Sequence, residues 1–264
     1  MRLRLSNWSE RHTYFLGRYY DLPTQLLMRS LVQQGDRFID VGANIGMISL
    51  LASRLVGLKG VVESVEPNPK CSERIEEAIR ENGIKNILIH RVGLSDCSGT
   101  AEMSIVTDHT GMGTFAPIPA HEETLVTEKF EATITTGDKL FMQSSQAPIM
   151  IKIDVEGLEL RVLRGCREFI DRTSPAITTE CIPNHLARDG VTVDDLTHWF
   201  SDLGYRGYAL TSDRVGLKHR VRIFSMQEKH NIDITDMVWL REASAAHRRL
   251  VDGGFLRELN KVAL

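Results

Sequence analysis

The sequence predicts an α/β fold in which a mostly parallel β-sheet carries helices on both faces. Residues 37–41 form a short apolar strand that leads through a glycine-containing turn into an apolar segment at helical spacing, residues 47–56. A second strand with an acidic end precedes a helix within residues 61–82. Residues 149–153 are nearly all apolar, which is typical of a strand buried at the centre of a parallel sheet. Strands and helices that alternate in this way favour parallel pairing.

The composition indicates one large globular domain with added segments. The chain has 264 residues, of which 42% are hydrophobic, and its net charge of −3 does not favour general nucleic-acid binding. Residues 1–10 lack the apolar run of a signal peptide, and the longest apolar stretch, residues 47–58, is too short to span a bilayer. We therefore expect a cytoplasmic protein without a membrane span. Its four cysteines are expected to be reduced, at positions 71, 97, 166 and 181.

Residues 1–35 precede the first strand and are predicted to form an N-terminal helical segment. Pro23 favours a helix start, and apolar residues recur at helical spacing over residues 26–32. The segment also carries aromatic side chains, which could line an acceptor pocket over the ligand crevice or pack against the edge of the sheet. These aromatic residues are Trp8, Tyr14, Phe15, Tyr19 and Tyr20.

The turn after the first strand favours a particular cofactor. Its order is Asp40-x-Gly42-x-Asn44-x-Gly46, whereas dinucleotide-binding turns have glycine in the first position. Gly42 permits a tight turn, and Gly46 permits close packing of the next helix. Asp40 would repel a phosphate and attract a cationic amino-acid group, which favours S-adenosylmethionine. The alternative is an ordinary buried turn between a strand and a helix.

The next two strands end in acidic residues. The second strand, residues 61–66, ends at Glu66, and an acid about 20 residues beyond a glycine turn binds ribose hydroxyls in nucleotide-binding sheets. A solvated glutamate at the strand end is the alternative. The third strand, residues 86–92, leads to Asp96, which could accept a hydrogen bond from an adenine amino group or act only as a turn residue.

Two further strands, residues 99–106 and residues 130–136, flank a long polar segment. Residues 107–128 are rich in Thr, Gly, His, Pro and Glu. Loops of this length are usually functional or poorly ordered, so the segment is a candidate lid or acceptor loop.

The fourth strand ends in two acids. Residues 149–157 read as a buried strand that breaks at Asp154-Val155-Glu156-Gly157, and alternation along a strand would put both carboxylates on one face. Carboxylates at this edge of a parallel sheet suit general-base or metal chemistry, whereas helix capping is the alternative. Lys152 is expected to pair with Asp154 or with another acid across the crevice, and a helix is predicted for residues 158–170.

The fifth strand, residues 175–180, brings Glu180 to the same edge as Asp154. His185 follows and could accept a proton near neutral pH, although a loop histidine is more often a surface residue. Asp154 and Glu180 are also the candidate ligands of a divalent cation, although a metal-free reaction is favoured.

The C-terminal third is predicted to close the sheet and end in a helical tail. Residues 205–210 and 221–226 are expected to form an edge hairpin. Residues 227–264 are predicted to be partly helical, and they could pack on the domain or on a second subunit of a homodimer.

Five strand-end motifs resemble those of the FkbM family of S-adenosylmethionine-dependent methyltransferases. The resemblance covers residues 36–226, and the first and fourth motifs are the most specific. The family usually has Leu-Asp-x-Leu before the fourth strand, and Gly137 replaces the first leucine here, which is expected to loosen that corner. The motifs lie at residues 38–46, 66–69, 92–96, 151–159 and 180.

The resemblance implies a Rossmann-like class I methyltransferase fold, with a seven-stranded, mostly parallel sheet whose last strand is antiparallel. It also implies methyl transfer, mostly to hydroxyl oxygens of sugars, glycans or secondary metabolites. In this chain it assigns the ribose to Glu66 and the adenine region to Asp96. The methionine part of the cofactor is assigned to Asp40, Gly42, Asn44 and Gly46.

The expected reaction is a direct displacement in which the protein aligns the acceptor oxygen and removes its proton. Asp154 or Glu156 is the candidate base, with Glu180 and His185 behind them. A nicotinamide-dependent oxidoreductase is disfavoured by Asp40 and by the missing third glycine of the phosphate loop. A non-catalytic methyltransferase-like binding domain is the remaining alternative.

Overall fold

The computed structural model describes residues 3–106, 113–142, 146–215, 218–225 and 236–253. Residues 107–112 of the predicted lid segment lie outside this part of the chain, as do residues 227–235 and 254–264 of the predicted tail. The strands in the described ranges are β1 Arg37–Val41, β2 Val61–Val65, β3 Ile87–His90, β4 Gly93–Leu94, β5 Gly99–Val106, β6 Gly113–Thr114, β7 Val126–Thr135, β8 Pro148–Ile153, β9 Ala176–Glu180, β10 Tyr205–Val215, β11 Lys218–Ser225 and β12 Asp236–Arg241.

The helices surround these strands. No helix within the described ranges combines the length and the apolar composition needed to cross a bilayer. The α-helices are α1 Trp8–Leu16, α2 Leu22–Leu31, α3 Met47–Val56, α4 Pro69–Asn82, α5 Gly137–Phe141, α6 Glu159–Gly165, α7 Arg167–Thr173, α8 Pro183–Leu186, α9 Val193–Asp202 and α10 Ala245–Asp252.

The central sheet has the strand order β11-β10-β12-β9-β8-β1-β2-β3. Strands β3, β2, β1, β8 and β9 are parallel, and β12 runs antiparallel to both of its neighbours, β9 and β10. The Rossmann-like fold and the mostly parallel sheet are therefore confirmed. The predicted edge hairpin is present as β10 and β11, and the unexpected strand β12 makes the sheet eight-stranded rather than seven-stranded. A smaller sheet has the order β4-β7-β5-β6.

The predicted helical tail is wrong in one part. Asp236–Arg241 forms strand β12, which lies inside the sheet between β9 and β10, beyond the predicted domain end at residue 226. A short apolar run does not distinguish a strand from a buried helix, which explains the error. Among the described residues of the tail, α10 matches the expected helix. The buried apolar residues of β12 are Met237, Val238, Trp239 and Leu240.

Two apolar layers show that helices cover both faces of the sheet. Phe38 of β1 and Met150 of β8 pack with α2, α3 and α10, whereas Ile39 and Ile151 pack with α6, α7 and α9 on the other face. Successive residues of a strand point to opposite faces, so both strands are buried on both sides. This burial explains the apolar sequences of β1 and β8.

Two local expectations fail on the second face. The helix predicted over residues 158–170 is divided into α6 and α7 at Cys166. Gly137 does not loosen its corner, because a Cβ atom there would lie 2.1 Å from the sulfur of Cys166. The glycine therefore allows α5 to pack closely against this junction.

A buried ion pair joins β1 and β2. The Nη2 atom of Arg37, whose side chain is fully buried, lies 2.6 Å from Oε1 of Glu63. His90 contacts the other oxygen of Glu63 at 2.7 Å. The guanidinium also lies over the rings of Phe141 and Phe169, at 5.8 and 5.3 Å from their centroids.

Glu63→Ala should lower the free energy of unfolding by about 3–5 kcal/mol, because it leaves a buried guanidinium without its counter-ion. Urea denaturation followed by circular dichroism measures this loss. Glu102→Ala is the matched control, since Glu102 and Lys129 form an exposed ion pair, and it should cost less than about 1 kcal/mol. Equal losses in the two variants would show that the buried pair has no special role.

Candidate active site

Two cavities meet at the C-terminal ends of the parallel strands. The larger cavity is bounded by the ends of β1, β8 and β9 and by the N-terminal segment. The smaller cavity lies over the ends of β2 and β3 and is partly covered by Phe115. Both cavities are lined by Gly42, Asn44, Asp154 and Glu156. This shared boundary contains four residues of the first and fourth sequence motifs.

Close backbone contacts form the glycine loop. Gly42 has φ +75°, and a Cβ atom there would lie 1.8 Å from the carbonyl oxygen of Asp154. The backbone N–H of Asp154 in turn donates to the carbonyl of Val41 at 3.1 Å. Gly46 has φ +84°, and its close contact is with Ile75 of α4, not with the strand. Both glycines are therefore required by backbone conformation and by lack of space.

Asp40 is completely buried at the end of β1 and lines the larger cavity. Its Oδ2 atom accepts a hydrogen bond from the hydroxyl of Ser49 on α3 at 2.6 Å. Its Oδ1 atom has no hydrogen-bond partner and lies 3.8 Å from the Nζ atom of Lys152. Burial raises the pKa of Asp40 above its ordinary value. One oxygen of this buried carboxyl group therefore lacks a hydrogen-bond donor within the described part of the chain.

Lys152 bridges the acids of two neighbouring strands. It is 7% exposed, and its Nζ atom donates to Oδ2 of Asp154 at 3.0 Å, as the sequence predicts. Burial by itself would lower the pKa of Lys152, but the carboxylates of Asp154 and Asp40 outweigh burial and raise it. Lys152 therefore stays cationic and is not available as a proton acceptor.

Glu66 lies in the smaller cavity, as expected for a ribose-binding acid. Its two oxygens accept hydrogen bonds from the backbone N–H groups of Asn44 at 2.7 Å and Asn68 at 2.8 Å. Burial raises the pKa of Glu66 to about 7. Asn44 has φ +48°, so the contact with Glu66 stabilises an unusual backbone conformation in the loop.

Asp96 does not join the other predicted cofactor residues. It is exposed and lines a separate surface groove together with Arg161 and Asp189. The preceding residues Val92 and Leu94 line the smaller cavity instead, opposite Phe115. This part of the smaller cavity is therefore apolar, and the predicted hydrogen bond from Asp96 to an adenine is not supported by this placement.

The acidic loop after β8 adopts a constrained conformation. Glu156 has φ +56° and Gly157 has φ +107°, so strand alternation does not place the two acids, contrary to expectation. Glu159 holds the loop, since its Oε1 atom accepts from the N–H groups of Val155 at 3.2 Å and Gly157 at 3.3 Å. The hydroxyl of Thr114 donates to the carbonyl of Glu156 at 3.1 Å. Sequence reasoning missed Glu159, although it ends the fourth motif.

Glu156, Glu180 and His185 form one charged cluster. The Nδ1 atom of His185 lies 3.0 Å from Glu180 and 3.1 Å from Glu156, and its hydrogen-bond geometry favours Glu180. Contacts with Glu156 and Glu180 raise the pKa of His185 to about 10, and burial raises the pKa of Glu180 to about 7. The three groups lie within 4.8 Å of one another, a spacing that could also hold a cation. Asp154, the ligand predicted to join Glu180, is paired with Lys152 instead.

The N-terminal segment covers the larger cavity. Trp8, Tyr19 and Tyr20 line it, whereas Tyr14 and Phe15 are 59% and 74% exposed and do not. The predicted aromatic cluster is therefore divided between the cavity and the surface.

A buried acid attaches this segment to the domain. Glu10 of α1 is 1% exposed and contacts the guanidinium of Arg74 on α4 at 2.7 Å through both of its oxygens. The local sequence gave no signal for this pair, because the two residues are far apart in the chain.

Known proteins place the chain in a family. The sequence model described as the methyltransferase FkbM domain matches residues 40–206. The chain belongs to the FkbM methyltransferase family. It is 33% identical over 144 residues to the hexuronic acid methyltransferase AglP of Haloferax volcanii, an alignment that covers 53% of each protein, so the chain spans about half the length of this curated relative.

Solved structures that are similar to the chain include a methyltransferase FkbM and an S-adenosylmethionine-dependent O-methyltransferase. The methyltransferase FkbM of Methylobacillus flagellatus is 17% identical, with a TM-score of 0.47, over 78% of this chain and 43% of that protein. An S-adenosylmethionine-dependent O-methyltransferase of Thermotoga maritima is 13% identical, with a TM-score of 0.45, over 84% of this chain and 65% of that protein.

Gly42→Ala should destabilise the protein much more than Gly83→Ala. Both residues have positive φ angles, +75° and +62°, but only Gly42 lacks space for a Cβ atom. We expect Gly83→Ala to cost about 1 kcal/mol, and Gly42→Ala at least about 2 kcal/mol more, because the ends of β1 and β8 must separate. Urea denaturation of both variants measures the difference, and similar losses would contradict the close contact with Asp154.

Proposed function

We propose that this chain transfers a methyl group from S-adenosylmethionine to a hydroxyl oxygen of a sugar, a glycan or a secondary metabolite. Membership of the FkbM family supports methyl transfer. The choice of cofactor rests on one observation. Two cavities with different linings meet at the glycine loop, so a ligand with two chemically different ends could bind across it. The relative from Haloferax volcanii is named a hexuronic acid methyltransferase, which supports a sugar-type acceptor.

The residues fit a cofactor with a cationic amino-acid end and a nucleoside end. Asp40 borders the larger cavity and has one oxygen without a hydrogen bond, which would accept one from the ammonium group of the cofactor. Each oxygen of Glu66 accepts one backbone N–H and keeps a lone pair for a ribose hydroxyl. The apolar groups of Val92, Leu94 and Phe115 would face the adenine. A dinucleotide would instead bring its pyrophosphate towards Asp40, so the oxidoreductase alternative is disfavoured.

The protein must align the acceptor and remove its proton. S-adenosylmethionine, when bound, supplies a methyl group that its sulfonium has already activated. Glu180 is the proposed proton acceptor, because it lines the larger cavity and its pKa of about 7 suits proton transfer near neutral pH. His185, which is cationic at that pH, orients Glu180 and does not itself accept the proton. Asp154 and Glu156 lie where the cavities meet and would orient the acceptor hydroxyl.

A metal-independent reaction is favoured by the charged cluster. The His185 side chain already places positive charge between Glu156 and Glu180, where a divalent cation would otherwise bind. A cation would therefore have to compete with a group that neutralises its ligands.

The chain should bind S-adenosylmethionine and S-adenosylhomocysteine in titration calorimetry, and it should not bind NAD. Glu66→Ala should weaken both interactions at least about tenfold, because it removes the proposed ribose acceptor. Glu73→Ala, a change at an exposed position on α4, is the matched control and should have no effect. Binding of NAD alone, or unchanged affinity in Glu66→Ala, would contradict the proposed cofactor site.

The rate constant kcat should rise with pH through about 7, because Glu180 must lose its proton before it can act as a base. Glu180→Gln should lower kcat at least about 100-fold and remove this dependence. Glu131→Gln, at an exposed position on β7, should change neither quantity. A profile that is unchanged in Glu180→Gln would assign the base to another group, and Asp154→Asn would then be measured in the same way.

A further inference from the structure

Helix α1 is buried on its polar side and exposed on its apolar side. The residues that face the domain are Ser9, Glu10 and Thr13, all of which are buried and line the larger cavity. In a helix that packs on a globular domain, the apolar residues normally face the core. The burial of α1 is therefore the reverse of the usual pattern.

The outward side of α1 carries large apolar side chains. Phe15 lies two helical turns after Trp8, so both residues are on the same side of the helix, with Arg11 between them. Six of the nine exposed large apolar side chains in the described part of the chain lie within residues 5–20, so the patch is local to this segment. Such a concentration marks an interaction site, unlike single exposed apolar residues. The six are Leu5, Trp8, Tyr14, Phe15, Leu16 and Tyr20.

Positive charge accompanies this patch. Residues 3–20 contain three arginines and one acid. The acid, Glu10, is buried and contacts Arg74, whereas Arg4 and Arg11 are exposed. The accessible formal charge of the segment is therefore positive, although the whole chain has a net charge of −3.

The β10–β11 hairpin projects at the same edge of the sheet. Strand β12 pairs with β10 over Tyr205–Ala209, whereas β11 pairs with β10 as far as Val215. Ala209 is opposite Met237, which in turn pairs with Thr179 near the end of β9. The rest of the hairpin therefore continues past the end of β9, at the edge where the larger cavity lies.

The projecting part of the hairpin is basic in sequence. Residues 211–222 contain one acid, Asp213, and four basic residues, which are Arg214, Lys218, Arg220 and Arg222. Helix α2, which follows the N-terminal segment, contacts both strands of the hairpin. The apolar patch of α1 and two groups of positive charge thus border one edge of the protein.

We propose that α1 and the β10–β11 hairpin bind the surface of a lipid bilayer that contains anionic lipids. Helices that lie in the interfacial region of a bilayer combine aromatic and leucine side chains with arginine or lysine. Basic groups add attraction to anionic headgroups. Helix α1 has nine residues, whereas a span needs about 20, so it lies on the bilayer and does not cross it. The larger cavity is then beside the lipid headgroups.

A second copy of the chain fits this surface less well. In a two-fold symmetric dimer the same patch meets itself, so the arginines and the basic hairpin of one copy would approach those of the other. Like charges that face each other across an interface oppose association. An anionic bilayer offers the opposite charge together with an apolar interior, and the charge of this surface therefore favours the lipid.

The test is co-sedimentation of the full chain with vesicles. It needs neither cofactor nor turnover, so its outcome is independent of the proposed function. Vesicles of phosphatidylcholine with phosphatidylglycerol should bind the chain at least about tenfold more tightly than vesicles of phosphatidylcholine alone, and added salt should weaken the binding. No binding to the mixed vesicles, or equal binding to both kinds, overturns the proposal.

Trp8 provides a spectroscopic probe of the contact. It is 43% exposed, whereas the other two tryptophans, Trp199 and Trp239, are 8% and 1% exposed. Mixed vesicles should therefore shift the fluorescence emission to shorter wavelength, and Trp8→Phe should remove the shift while the chain still binds. An unshifted emission of the bound chain, or a shift that persists in Trp8→Phe, would show that α1 does not enter the bilayer.

Two double variants test the position of the contact on α1. Phe15→Ser combined with Arg11→Glu should weaken binding to mixed vesicles at least about tenfold, because it removes an apolar side chain and reverses a charge. Leu58→Ser combined with Lys59→Glu makes the same kinds of change at exposed positions that precede β2, at the opposite edge of the sheet. This control should bind as the unmodified chain does, and equal losses in the two variants contradict the role of α1.

The hairpin is tested by charge reversal. Lys218→Glu combined with Arg220→Glu should also weaken binding about tenfold, whereas Lys59→Glu combined with Lys85→Glu, at exposed positions that precede β2 and β3, should not. Sedimentation velocity without lipid tests for a second copy. A dimer that Phe15→Ser with Arg11→Glu converts to a monomer would show that another chain covers α1, and it would overturn the proposal.

Discussion

The site depends on a single buried cation between two strands. Strand β1 lies beside β8, and the pairing sets Asp40 directly opposite Lys152. Asp154 follows at the end of β8, so two carboxylates converge on one ammonium group. Without this cation, the carboxylates of Asp40 and Asp154 would repel each other in a partly buried environment. Lys152 thus permits an acidic edge on a sheet whose centre is apolar.

Much of the fold could be predicted because it depends on short, local patterns in the sequence. The apolar strand, the spaced glycines and the following helix predict the first unit, and the buried run before Asp154 predicts the central strand. The grouping of the acids at the strand ends could also be predicted, because parallel strands bring their C-terminal ends to one edge of the sheet. Asp40, Glu66, Asp154, Glu156 and Glu180 accordingly line the two cavities.

The features that escaped prediction depend on contacts between distant segments. Asp96 lines a separate surface groove and neither of the two cavities, at the point where the chain leaves the main sheet for the smaller one. The pair of Glu10 and Arg74 joins residues that are 64 positions apart, and no local spacing indicates it. The tight packing of Gly137 against Cys166 is equally invisible in the sequence, because a glycine there is also consistent with a loose turn.

The left-handed backbone conformation at Glu156 means that the residue best for stability differs from the residue whose side chain borders the cavities. Glycine would adopt φ +56° without the strain that a larger residue bears, which is about 1 kcal/mol or more. The glutamate is therefore a local weakness in the folded chain, although its side chain borders both cavities. A laboratory selection for heat resistance alone would tend to replace it. Thermostable variants of this protein should consequently be screened for turnover at the same time.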